Sequence, residues 1–504
     1  MSHDNASKTS KPIRFLFENS IFLIAGAVGA LIWTNVDPDS YLRLVQFDLR
    51  SVFSDEQHES DGSHADAQHG IQPQPSANGG HQHTSVRDDG IAIHLAADTP
   101  PSSTDEHTEP GPSDEHEAVD DTEHGGHSHG WTLPFLINDI LMALFFAIAG
   151  KEVWEALLPG GALSDPRKAA TPLMATLGGI IGPAGLYVLG VLLFSFMGMT
   201  TWAELGRGWA VPCATDIAFS YLVARIIFGA GHPAIAFLLL LAIADDAAGL
   251  VILAIFYPTS TLALPWLGLS VGAVALGFVF HKVLRLQSFW WYLLIPGTMS
   301  WFSFFWAGIH PALGLVPVII TMPHARSDLG IFARAECGRD DTLNAFEHWW
   351  KNPVELILGL FGLVNAGVAM SSVGVGTWLV FGGLIIGKPL GITLFTWLGE
   401  KYFKLEMPAG MNYRHIVSLG MVAGIGFTVA LFVSTAAFPV PPSSPAVLDS
   451  VKMGALASFF AAIVAYVGAR LLGIRPGDID NKVTRREDEG SEGDAAEVSI
   501  SCPA

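Results

Sequence analysis

The chain is poor in charge: 15% of its 504 residues are Asp, Glu, Lys or Arg, where a soluble domain carries about 25%. That scarcity argues against an ordinary soluble enzyme. Cysteine is scarce too, and Cys213, Cys337 and Cys502 stand far apart without metal-ligand spacing, so neither a disulfide framework nor a zinc site follows. Basic residues are nearly missing from one long stretch, because residues 51–130 hold 17 Asp or Glu against a lone Arg87. The tail from Pro476 holds eight acidic residues against three basic ones, and the remainder is close to balance at 23 basic and 22 acidic. The formal net charge of −20 thus belongs to two polar appendages and implies no nucleic-acid partner.

Hydrophobic residues are abundant, at 50% of the chain. They fall into runs of about eighteen or more, each long enough to cross a hydrocarbon layer about 30 Å thick. These runs predict an all-α polytopic membrane protein, surrounded by lipid, with about twelve transmembrane helices. The expected spans are Phe15–Trp33, Leu133–Leu157, Thr171–Met197, Trp209–Phe228, Pro233–Phe256, Leu264–Val283, Trp290–Trp306, His310–Met322, Pro353–Val373, Trp378–Leu398, Ile416–Phe438 and Leu448–Leu472. No small-residue cleavage site follows the first, which therefore reads as an uncleaved anchor.

Cytoplasmic segments collect Lys and Arg. Threading the spans from the inside places 20 basic residues on one face and five on the other, namely Arg43, Arg50, Arg87, Arg207 and Lys452, with Lys151 and Lys388 inside spans. Both termini are then cytoplasmic. The chain divides into a cytoplasmic N-terminus (1–14), a first span with the start of an external loop (15–50), an acidic external loop (51–130), a membrane body (131–472) and an acidic cytoplasmic tail (473–504). The loop holds 11 of the 18 histidines, including His81, His83, His124, His127 and His129, among Ser, Gly, Pro and carboxylates. Such composition cannot bury enough apolar surface to fold by itself, so loop and tail are expected to be disordered. Imidazole and carboxylate are also ordinary ligands for zinc, nickel or copper, so a second, compatible reading of the loop is a weak, multivalent trap for divalent metal.

Charges at membrane depth carry more information, because each costs about 2.5–3.5 kcal/mol to insert. Four stand near span centres: Asp216, the neighbours Asp245 and Asp246, and Lys388. Adjacent residues on a helix point about 100° apart, so one aspartate can face a cavity while the other faces a protein partner. Carboxylate oxygens suit small hard cations. A carboxylate holds a proton or a cation but not both, so such a site can exchange the two. The plainer reading, that these charges only hold helices together, is the less common fate of intramembrane charge.

Helix continuity gives a second signal. The fourth span contains Pro212 ahead of Thr215 and Asp216, and the eleventh runs Gly420-Met-Val-Ala-Gly424-Ile-Gly426-Phe-Thr428. Each is the middle member of a three-helix set, spans 3–5 and spans 10–12, and an odd-numbered repeat has inverted topology. Paired interruptions in two inverted repeats point to the binding site of a transporter. Broken ends carry partial charge, positive at N-termini and negative at C-termini. Asp216 is expected to offset facing N-termini and Lys388 facing C-termini, which leaves Asp245 and Asp246 for protons and a cation.

Several stretches resemble the NhaA family of bacterial sodium/proton antiporters: Ile137-Asn-Asp-Ile-Leu-Met-Ala-Leu-Phe-Phe, Trp209-Ala-Val-Pro-Cys-Ala-Thr-Asp-Ile-Ala-Phe, Ala242-Ile-Ala-Asp-Asp, Asn365-Ala-Gly-Val, Ile386-Gly-Lys-Pro-Leu-Gly-Ile and Gly424-Ile-Gly-Phe-Thr. The resemblance covers about Leu133 to Leu472. It implies crossed broken helices, with Asp245 and Asp246 as the cation and proton site, Lys388 paired with the first of them, and Thr215 and Asp216 at the crossing. It implies electrogenic alternating-access export of sodium or lithium against entering protons, in a bacterial inner membrane, with no cofactor and no catalytic residue. It also implies alkaline activation through residues near the cytoplasmic funnel. Glu152 matches one such position, and Glu347 with His348 resembles another. The segment reads Lys151-Glu-Val-Trp-Glu155 where the family has a basic–acidic pair after this glutamate. The 51–130 loop stands where the family has a short hairpin that helps form dimers, and a homodimer is expected. Phe47–Arg50 and Asp89–His94 read as remnants of the hairpin strands.

A second class of function is a divalent-metal transporter or metal-responsive membrane protein using the histidine-rich loop. No span histidine accompanies Asp216, Asp245 or Asp246 in support of it. A third, an organic-anion symporter, lacks the intramembrane Arg that pairs with a carboxylate substrate.

Overall fold

A computed structural model of the chain describes residues 21–48, 132–161, 163–164, 166–324, 341–440 and 442–477. The expectations for residues 51–130 and for the tail beyond residue 477 lie outside this set, as do Cys337 and Cys502. Every extended element described is helical. In chain order they are α1 (Ile21–Val36), α2 (Pro38–Val45), α3 (Leu133–Leu157), α4 (Pro166–Phe196), α5 (Trp202–Cys213), α6 (Ile217–Phe228), α7 (Pro233–Phe256), α8 (Leu264–Lys282), α9 (289–307), α10 (Val316–Ile319), α11 (Thr342–Asn365), α12 (Val375–Phe403), α13 (Tyr413–Ala423), α14 (Phe427–Ala437) and α15 (Pro445–Leu471).

Helices α3, α4, α7, α8, α12 and α15 are each long and apolar enough to cross a membrane. The pairs α5–α6 and α13–α14 pass the same test jointly, each bent by 52° at a short break. The outer surface is apolar, with Leu189, Phe196, Ile255, Trp378 and Leu390 all more than half exposed. In water such a surface would be an association hazard. Facing lipid it is the expected arrangement, because backbone polar groups are satisfied within the helices.

Local chemistry sets the helix starts. Asp216 caps α6 by accepting from Phe219 N at 3.1 Å, and His232 caps α7 ahead of Pro233 at its first position. Asp341 caps α11 through Asn344 N at 2.8 Å, and Asn412 caps α13. Two π-helical turns interrupt α3 and α12, at Leu136–Leu141 and Gly383–Gly387. Such turns cluster at functional positions, and here they carry Asn138 and Asp139 in one case and directly precede Lys388 in the other.

Two expected spans take another form. Between His310 and Met322 only a 3-10 turn, Pro311–Leu313, and the single turn α10 are helical, because Pro311, Gly314 and Pro317 interrupt the ladder. The expected span Pro353–Val373 is instead α11, which starts at Thr342 and stops at Asn365. Its polar first half belongs to the helix because Asp341 caps its start and the buried Leu343 and Phe346 begin a stripe that Val354, Ile357, Leu358 and Phe361 continue. The short helix α2, in the segment expected to begin a loop, is fastened by Tyr41, whose hydroxyl donates to the carbonyls of Leu363 and Val364 at the end of α11 (3.0 and 2.8 Å). Burial pushes that phenol up to about 12, so it remains a donor at neutral pH. Asp48 forms an isolated antiparallel bridge with Thr132, while Asp89–His94 lies outside the described residues.

One contact decides where the tenth expected span delivers its lysine. Helices α4 and α12 cross backbone against backbone: a Cβ added at Gly391 would lie 2.0 Å from the Gly178 carbonyl oxygen, and one at Gly178 would lie 2.1 Å from that of Gly391. Substitution of Gly391 by Val is expected to force the helices apart at a cost of about 1–3 kcal/mol or more. The predicted result is a lowered unfolding midpoint in detergent; a midpoint equal to that of the native chain would refute the contact.

Candidate functional site

The two breaks cross. Asp216 N donates to Ile425 O at 2.7 Å, Thr215 Oγ1 to Ala423 O at 3.2 Å and Ser220 Oγ to Val422 O at 3.2 Å. The approach is close enough that a Cβ at Gly426 would sit 2.5 Å from Ala214 O. Four half-helix ends, those of α5, α6, α13 and α14, therefore meet in one place.

Lys388 reaches this place from α12. Its ammonium donates to the Cys213 carbonyl at the end of α5 and forms an ion pair with Asp245 Oδ2 at 2.8 Å. Neither side chain has appreciable solvent exposure, at 0% and 2%. The Thr215 hydroxyl donates to the same carboxylate oxygen at 2.8 Å. Asp216 serves the opposite polarity: besides capping α6, its second oxygen accepts from the Thr428 hydroxyl at the start of α14. The lysine thus answers a carbonyl end and Asp216 answers amide ends, as the helix dipoles require.

Asp246, one residue on, lines a cavity of about 420 Å³. Thr215, Asp216, Thr428, Glu152, Glu347, Lys351 and Glu355 line it as well, together with Leu239 and Ile243 from the N-terminal half of α7. A much smaller void of about 30 Å³ touches both Asp245 and Asp246 and is walled by Phe145, Phe146, Leu250 and Leu253. Asp246 thus lines both the cavity and the small void, whereas Asp245 lines only the void.

Of the eight residues singled out in the sequence, Asp245, Lys388, Thr215, Asp216 and Asp246 come together at the crossing, and Glu152 and Glu347 share the cavity. His348 is exposed and is absent from the cavity lining. Other arrangements were not anticipated. Lys151, 2% exposed, joins Glu155 on its own helix to Glu347 on α11. Asn138 and Asn365 hydrogen-bond each other at 2.8 and 3.2 Å. His310 Nδ1 lies 3.6 Å from Asp139 Oδ1, with its ring against Phe432. The spacing of Lys151 and Glu155 was the available signal for the first; the polar pairs inside otherwise apolar stretches were the signal for the others. Among the described residues, no group of three or more His, Cys, Asp or Glu could hold a metal ion, so nothing described favours divalent-metal transport.

A family model described as Na+/H+ antiporter 1 matches residues 114–468. A protein named Na(+)/H(+) antiporter NhaA from Jannaschia sp. (strain CCS1) is 45% identical, over 92% of this chain and 99% of its own length. One of the same name from Geotalea uraniireducens (strain Rf4) is 47% identical, over 68% of this chain and 86% of its own. Another from Geobacter metallireducens (strain ATCC 53774 / DSM 7210 / GS-15) is 38% identical, over 92% and 99%.

Removal of one partner from a buried ion pair costs about 3–5 kcal/mol, because the other charge is left unanswered. Lys388→Gln is expected to lower thermal stability in detergent by an amount of that order, and Lys388→Gln combined with Asp245→Asn to recover most of it. A double variant as unstable as the single one would show that the pair is not what the lysine holds.

Proposed function

The chain belongs to the Na+/H+ antiporter 1 family, and from that premise we propose that Asp245 and Asp246 form its cation and proton site. The protein is a polytopic membrane antiporter that exchanges sodium for protons. The observation that carries the site assignment is the division of labour between the two aspartates. Asp245 is held by Lys388 and Thr215, while Asp246 lines the open cavity. A cation entering the cavity meets Asp246 first and can draw on Asp245 as a second carboxylate when it competes with the lysine. Protonation of the same oxygens expels the cation, and this competition couples the two fluxes.

Thr215, Asp216 and Lys388 hold the broken ends together and keep the crossing compensated while it shifts. Two proton carriers among Asp245, Asp246 and Lys388 for each cation make the exchange electrogenic. By the distribution of Lys and Arg, the open cavity faces the cytoplasm and both termini are cytoplasmic. This is the side from which sodium is loaded for export in exchange for external protons. Export of lithium, residence in a bacterial inner membrane among its lipids, and a homodimer belong to the same proposal. We assign the pH response to Glu152 and Glu347 on the cavity wall and to His348 beside them. The Lys151 link between α3 and α11 makes Glu347 the member through which a change of charge would reach helix packing.

Everted vesicles from a strain without sodium exporters give the test. A respiratory pH gradient should collapse on addition of NaCl or LiCl, and Asp246→Asn, present in the membrane at normal level, should abolish the response. Sodium-driven collapse in Asp246→Asn would sink the site assignment. In the same assay, deletion of residues 55–128 is expected to leave sodium/proton exchange intact; its loss would make the histidine-rich loop part of the transport machinery.

A further inference from the structure

Helix α11 carries a ladder of charge that the exchange site does not account for. Glu347, Lys351 and Glu355 recur every fourth residue, so they share one helix face, and all three line the cavity that reaches Asp246. Glu347 is engaged by Lys151, and Lys351 is exposed. Glu355 lies eight residues further along than Glu347, about 12 Å inward at about 1.5 Å per residue. It is flanked by the buried Val354, Ile357 and Leu358. Its Oε2 is buried and accepts no hydrogen bond. A carboxylate with a buried, unanswered oxygen is costly, and an apolar residue would pack there better. The residue as a whole nonetheless lines the cavity, so a charge is kept beside the cation's path at a cost that packing does not repay.

We infer that Glu355 is a relay carboxylate for the entering cation, a step between the cavity mouth and Asp246. The inference rests on the antiporter reading and adds a residue to it. Lys351, one helical turn nearer the mouth, repels a cation at the threshold. Glu355, just beyond it, restores an attractive field, and the apolar part of the cavity wall, including Phe145, Ile148 and Leu358, concentrates that field. A hydrated Na+ is thereby enriched next to Asp246. Glu355 is not a ligand of the exchange site itself, so it sets how readily the cation is captured and leaves the rate of the loaded carrier nearly unchanged.

The test compares apparent KM for Na+ with maximal rate at one fixed pH, in everted vesicles whose outer face corresponds to the cytoplasm. Glu355→Gln is expected to raise KM about three- to ten-fold, the order expected for removing one charge from a partly screened site, with maximal rate within about two-fold. Glu355→Asp should restore the native KM to a large extent. Lys351→Gln should shift KM the other way, to lower values. That opposite sign separates a relay from a structural Lys351–Glu355 pair, whose two variants would be impaired alike. An unchanged KM in Glu355→Gln, or a fall in maximal rate at constant KM, would overturn the relay with the antiporter reading intact. Absence of sodium/proton exchange by the native chain would overturn that reading instead.

Discussion

Two spans that break and cross bring unsatisfied carbonyls and amides into an interior that has little else to offer them. The other features of the site can be ordered from that constraint. The carbonyl of Cys213 is answered by the Lys388 ammonium. A buried ammonium needs a counter-charge, which Asp245 supplies, and Asp245 in turn takes a hydroxyl from Thr215. The amide ends of α6 and α14 are answered by Asp216. Even the glycines of α4 and α12 belong to this chain of dependence, since only a backbone-to-backbone crossing lets Lys388 approach. Of the two neighbouring aspartates of α7, Asp246 is then the one that lines the cavity.

The cavity reaches this compensated crossing at Asp246, Thr215 and Asp216. Because helix ends are linked to each other rather than embedded in continuous helices, a tilt of one broken span carries its partner's hydrogen bonds with it. The polar links at Asn138–Asn365 and at Lys151–Glu347 both join α3 to α11. They therefore tie together two cavity walls at two heights, so that neither wall moves alone.

Most of this architecture was legible in the sequence because membrane depth makes charge and helix breaks conspicuous. Asp216, Asp245, Asp246 and Lys388 stood out as charges in apolar runs, and the 52° bends fall at the Pro212–Asp216 and Gly424–Gly426 segments. What was not legible followed from the same rule used in reverse. Hydropathy discards polar helix turns, so it puts the start of α11 eleven residues late and leaves Glu355 at the edge of the span rather than at depth. The segment after His310 is as apolar as a span, although its prolines and glycine allow only single turns. Pairings such as Asp139 with His310 or Lys151 with Glu347 join distant parts of the chain, and no local pattern encodes them.

The bridge between Asp48 and Thr132 places the two ends of a long acidic insertion side by side. A closed pair of ends transmits no tension, whatever the length of chain between them, since the entropy of closing a loop grows only slowly with its size. This point of the molecule is accordingly a natural graft position. A rigid folded domain whose own termini are adjacent could replace the insertion and serve as a marker for particle alignment in electron microscopy, while the helices beneath keep their register.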